Sequence, residues 1–179
     1  MARLSKEDWF KEGLLILSEF AQDKIKILYL CKRLGVTRGS FYHHFESIDT
    51  YIEDLMAHWS ASNTQAFIET ADQQADPLQR LQVLNELVIH TDNAVEAAIR
   101  SWSYYNELVR HHIEQVDTQR MNYLKDIFRA GGMDATTAEA MAKLEYALLI
   151  GVQQLFPKAK PEELAQLYKV HQQFSTVKL

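Results

Sequence analysis

Apolar residues recur at helical spacing along nearly the whole chain, and no alternating stretch is long enough to claim a strand. Trp9, Gly13, Ile16, Leu17 and Phe20 fall on one face of a first helix. Ser5 is placed to cap it, with Asp8 three residues on as in a capping box. The polar "AQDK" at 21–24 breaks that pattern. A second helix over about 27–34 carries Ile27, Leu30, Cys31 and Leu34, and Gly35 follows where a helix stop needs positive φ. Thr37 then reads as the cap of a short third helix, about 38–44, with Phe41 and Phe45 inward. A fourth begins near Ser47, carries Ile48, Ile52, Leu55, Met56 and Trp59, and extends to about Ala71. Asp76 as cap and Pro77 as first helical residue open a fifth. Four more helices are predicted at about 94–105, 106–130, 136–155 and 161–174, nine in all.

Residues 26–45 have the grammar of helix, tight turn, short helix. A helix fits the major groove of duplex DNA, and its first residues meet the base edges. Here those residues are Thr37, Arg38, Gly39 and Ser40. Arg38 offers a fork of donors for guanine or phosphate, and the short hydroxyls of Thr37 and Ser40 can serve either. Gly39 keeps the helix surface low, while Tyr42 and His43 are long enough to reach flanking phosphates. Each residue also has a plainer reading. Thr37 serves as a cap, Arg38 as solvated surface, Tyr42 as core, and His43 with His44 as an incidental pair that points about 100° apart and chelates metal poorly.

Charge sharpens the division. Residues 1–45 hold eight Lys/Arg against five Asp/Glu, a net of +3, whereas the whole chain of 179 residues has a net of −5. A basic head on an acidic body suits a polyanion at the head alone. The apolar share of 47% and charged share of 24% fit a globular protein. No run approaches a membrane span, so a cytoplasmic, non-membrane protein is expected. Cys31, the single cysteine, excludes an internal disulfide and reads as a buried thiol. Zinc spacing, a glycine-rich phosphate loop and a nucleophile elbow are all missing, so neither an enzyme nor a cofactor is expected. Glu107, His111 and Glu114, with His112 beside them, could approach one helix face as a metal site, but a solvated face explains them more simply.

The stretch "IKILYLCKRLGVTRGSFYHHFESIDTYIEDLM", residues 25–56, resembles the signature region of the TetR/AcrR family of bacterial transcriptional regulators. "LGVTRGSFYHHF" is its most specific part, and "AIRSW" with "VDTQRMNYLKDIF" is similar to a common form of the family's C-terminal part. The resemblance implies an all-α chain with a three-helix DNA-binding head, residues 1–46, and a helical ligand and dimer domain, residues 47–179. It implies a homodimer on a palindromic operator of double-stranded DNA, associated with the nucleoid when bound, and a repressor released by an unknown small-molecule effector. By the family pattern, Thr37, Arg38, Ser40, Tyr42, His43 and His44 touch DNA. Three departures matter. Ala21 stands where the family often has glycine, so its turn is expected to use another conformation. Lys26 replaces a capping threonine or serine and adds charge near DNA. Ile48 replaces a phosphate-binding lysine, leaving that contact to Arg3, Lys6, Lys24 or Lys26. This last departure motivates an alternative reading, a TetR-like dimer that acts through protein–protein interaction with weak or lost DNA binding.

The pairing surface is expected on the last two helices. It comprises Ala138, Met141, Leu144, Leu148, Gly151 and Leu155, then Leu164, Leu167, Tyr168, His171 and Phe174. Trp59, Phe67, Trp102, Tyr104, Tyr105, Met121, Met141 and Tyr146 are candidate effector-lining residues, although aromatic residues at helical spacing also read as core.

Overall fold

The structure, a computed structural model, describes residues 4–91, 93–156 and 159–175, the side chains of Gln172, Phe174 and Ser175 excepted. Among the described residues it is all-α, with ten α-helices besides a 3-10 turn, Ala21–Lys24, and a π-helical turn. These are α1 (Lys6–Phe20), α2 (Ile27–Leu34), α3 (Arg38–His44), α4 (Ile48–Ser60), α5 (Ala66–Ala71), α6 (Pro77–Ile89), α7 (Asn93–Ser103), α8 (Glu107–Ala130), α9 (Ala135–Leu155) and α10 (Pro161–Ser175). The tenth arises because the predicted fourth helix is divided by a π-helical turn, Ala61–Gln65. There the Asn63 amide donates to the Trp59 carbonyl at 3.0 Å, a local bond that competes with the regular ladder. No helix among the described residues is long and apolar enough to cross a membrane.

The chain forms two compact units. The first comprises Met1–Asn63 and Ala94–Val116. Its core is aromatic. Trp9 meets Phe41 edge-on at 5.5 Å between ring centroids, and Phe45 meets Tyr51 edge-on at 5.0 Å. Such pairs each add roughly 0.5–1.5 kcal/mol beyond burial. The Tyr51 hydroxyl donates to the Trp9 carbonyl at 2.9 Å and ties α4 to α1. This approach requires Gly13, where a Cβ would lie 2.0 Å from the Tyr51 oxygen. α1 and α2 are also clamped by Arg33, which donates to Glu12 and Glu19 at 2.6 Å each. The bonds to Glu19 and Tyr29 hold that guanidinium more firmly protonated than usual.

The ends of these helices follow local chemistry. Ser5 and Asp8 form the capping box, Ser47 accepts from the Thr50 N–H, and Asp76 accepts from the Gln79 N–H ahead of Pro77. Gly35 stops α2 at φ 67°. Ala21 departs from its expectation. It keeps a positive φ of 54°, so the turn after α1 retains a glycine-type backbone with an alanine in it. The Ala21 N–H closes α1 on the Leu17 carbonyl, and Ile25, just beyond the turn, is buried in the core.

The second unit comprises Thr64–Asn93 and Asp117–Leu179. Leu81, Leu124, Ile127, Phe128, Ala138, Ala142 and Tyr146 form its core. Polar pairs stitch its helices. Arg120 donates to the buried Thr64 hydroxyl at 2.9 Å, Tyr146 to Asp117 at 2.6 Å, Tyr123 to Asp72 at 2.7 Å, and Gln153 to Asn93 at 3.0 Å.

Candidate nucleic-acid interface

α3 is positioned from beneath. Its Phe41 is fully buried against Trp9, and Phe45, just after it, is buried beside Tyr51. The turn from α2 is closed by two bonds that Cys31 makes. The Val36 N–H donates to the Cys31 carbonyl at 2.9 Å, and the Cys31 thiol donates to the Thr37 carbonyl at 3.5 Å. Burial pushes the thiol pKa up against the opposing charge of Arg38, which favours the protonated donor.

Anchored this way, α3 turns its other side outward. Thr37, Arg38, Gly39 and His43 are exposed, Tyr42 is half-exposed, and Ser40 and His44 are partly buried. Thr37 occupies the cap position with extended backbone, but its hydroxyl makes no capping bond. The helix start is closed instead by the Thr37 carbonyl, which accepts from the Ser40 N–H at 3.0 Å. A Cβ at Gly39 would meet only the Thr37 hydroxyl, at an ordinary 3.6 Å. Tyr42 stands edge-on to Phe41 at 5.5 Å. His44 leans inward, 6.2 Å from Trp9, whereas His43 stays outside.

Beside α3 lies a groove of about 590 Å³ whose lining includes Lys24, Lys26, Lys32 and Arg38 together with Leu28 and Ile48. Lys26 sits at the N-terminus of α2 in extended conformation and gives no side-chain cap. Lys32 is a member that the sequence reading missed. The available signal was its i+4 spacing from Leu28 on the face opposite Leu30 and Cys31. The other basic groups of this unit differ. Lys6 bonds Asp54 at 2.7 Å and lies 5.1 Å from the Phe45 ring centre, and Arg33 is clamped. Arg3 lies outside the described residues.

The remaining candidates are dispersed. Trp59 and Trp102 are buried in the core of the first unit, while Tyr104 and Tyr105 after α7 are exposed. In the second unit Tyr146 is a core residue, Met121 and Met141 pack partly buried against that core, and Phe67 is half-buried. Of the pairing candidates, Ala138, Leu164 and Tyr168 are buried within the unit. Leu144, Leu155 and Leu167 point outward, and Met141, Leu148 and Gly151 are half-buried. His171 pairs through Nδ1 with the buried Glu145 at 3.2 Å. Burial raises the Glu145 pKa, with His171 opposing. The Phe174 side chain lies outside the described residues. Around α8, Glu107 and Glu114 approach Arg110, and His111 bonds Gln115. No group of three or more potential metal ligands occurs among the described residues.

No protein-family model matches the chain, and no curated protein matches it by sequence. Solved structures do match. A transcriptional regulator described as a TetR/AcrR family member aligns with a TM-score of 0.79 at 16% identity, over 94% of this chain and 96% of its own. A transcriptional regulator from Pseudomonas aeruginosa PAO1 aligns at 0.76 and 18% identity, over 94% and 90%. A TetR transcriptional regulator from Legionella pneumophila aligns at 0.75 and 12% identity, over 86% and 87%. Over nearly its full length, therefore, the chain has the fold of the TetR/AcrR transcriptional regulators.

Proposed function

We propose that the chain is a sequence-specific DNA-binding transcriptional regulator, a homodimer whose operator binding is relieved by a small molecule. The observation that carries this reading is the exposed start of α3. Arg38 stands there beside uncommitted Thr37 and bare Gly39, on a helix whose opposite side is locked into an aromatic core. A reading helix needs this arrangement, rigid beneath and polar outside. Arg38, Thr37, Gly39 and Ser40 meet base edges or adjoining phosphates, while Lys26, Tyr42, His43 and His44 position the helix on the backbone.

One such helix reads only a few base pairs, so operator recognition requires two. The outward Leu144, Leu155 and Leu167 of α9 and α10 support pairing of two copies there. Labour is divided between residues 1–46, which meet DNA, and residues 47–179, which pair and respond. Effector recognition is assigned to the second unit, near Phe67, Met121, Met141 and Tyr146, where Asp117, Arg120 and Thr64 supply polar groups. Selection from random duplexes by the full-length protein tests the reading. A two-fold symmetric motif with half-sites about one helical turn apart is the expected outcome. Failure to retain any duplex at low salt ends it in favour of a helical dimer that binds protein.

A further inference from the structure

The groove beside α3 draws its lining from more than the third helix. Its four cations come from three segments: Lys24 and Lys26 from the turn before α2, Lys32 from α2, and Arg38 from α3. None of the described residues lining it is acidic. Lys24 lies 5.7 Å from the centre of the Tyr29 ring, and none of the four enters an ion pair among the described residues. Among these charges stands Leu28, 67% exposed, with Ile48 from the start of α4. A leucine so exposed amid lysines forms an apolar wall inside a positive rim. That combination matches a sugar–phosphate strand, which alternates charged phosphates with apolar deoxyribose faces. A small amphipathic anion would engage one or two of the cations, whereas four of them spread over three segments fit a repeating anion.

Resting on the DNA-binding reading above, we infer that one strand of the duplex runs in this groove. Its phosphates meet Lys24, Lys26 and Lys32, and a deoxyribose face packs on Leu28 and Ile48. The charge that Ile48 cannot supply at the start of α4 is thus provided by α2 and the turn before it. These contacts fix the register of the strand, while Arg38 faces the bases.

The test is the salt dependence of binding by the full-length protein. The probes are the selected duplex and a random-sequence duplex, and Lys143→Ala in the second unit is the control. Each phosphate contact releases counterions and adds about 0.9 to the slope of log affinity against log salt. The triple variant Lys24→Ala/Lys26→Ala/Lys32→Ala should lose about 2.7 of that slope per head. It should weaken both duplexes alike, preserve the ranking of operator sequences and leave the thermal midpoint unchanged. Adding Ile48→Lys to the triple variant should restore about one contact's share of the slope. Should the triple variant keep the slope of the parent protein, or re-rank operators at unchanged slope, the strand path is wrong while the DNA-binding reading stands. A parent protein that binds neither duplex overturns both.

Discussion

Two neighbouring arginines in the head, Arg33 on α2 and Arg38 at the start of α3, have opposite surroundings. Arg33 faces inward, gripped by Glu12 and Glu19 at 2.6 Å, and its charge is cancelled where it holds α1 to α2. Arg38 faces outward beside Lys26 and Lys32, in a groove whose described lining has no carboxylate. The chain thus separates cations neutralised within the head from cations left without an acidic neighbour. Net charge does not reveal this division, because both sets add equally to the excess of +3 over residues 1–45. The lesson is that a basic region should be judged by which of its charges lack an acidic neighbour.

Substitutions on the two sides should therefore fail differently. The largest effect is expected inside. Gly13→Ala places a methyl carbon against the Tyr51 hydroxyl and should destabilise the protein by about 3 kcal/mol in denaturant unfolding. Tyr51→Phe in the same chain should recover part of that loss, because the clashing oxygen is gone. Outside, Arg38→Ala should cost about 1–3 kcal/mol of binding to the selected duplex and relax preference at one base position, with no change in thermal midpoint. An Arg38→Ala variant that melts early would erase the contrast with Arg33. Ala21→Gly should stabilise by roughly 1 kcal/mol, since glycine accepts a φ of 54° without the Cβ penalty, and should leave duplex affinity untouched.

The smallest effect concerns pH. Burial holds the pKa of His112 below its ordinary 6.5, aided by His111 and opposed by Glu53. A depressed folded-state value means that the stability it contributes is present above pH 6.5 and is lost as pH falls through the folded value. His112→Gln should flatten the decline in thermal midpoint on the acid side of pH 6.5 and leave the neutral side nearly unchanged.

Much of the helix layout was legible because its signals are local. Ser5 with Asp8, Gly35, Ser47 and Asp76 with Pro77 each act on backbone groups within a few residues, and each marks a helix end in the structure. The inward Phe41 and Phe45 follow from helical spacing in the same way. What escaped depends on distant partners. Lys32 and Arg33 are adjacent and chemically alike, and only the position of α1 decides that one enters the groove while the other is clamped. The positive φ of Ala21 runs against alanine's own preference, so the residue type there pointed the other way. The π turn at 61–65 lay inside an apparently continuous helical stripe, although "SASNTQ" carries the polar side chains that compete with a regular ladder. The two units also interleave, each drawing on an early and a late part of the chain, which no linear reading of composition marks.

Gly39 has an ordinary backbone and open space where a side chain would project, with the Thr37 hydroxyl at 3.6 Å as its nearest neighbour. Alanine, serine or asparagine fits there without disturbing the packing beneath. If α3 reads DNA as proposed, the position is a point of evolvability, where descendants of this chain acquire a new target preference by one substitution while inheriting an unchanged scaffold.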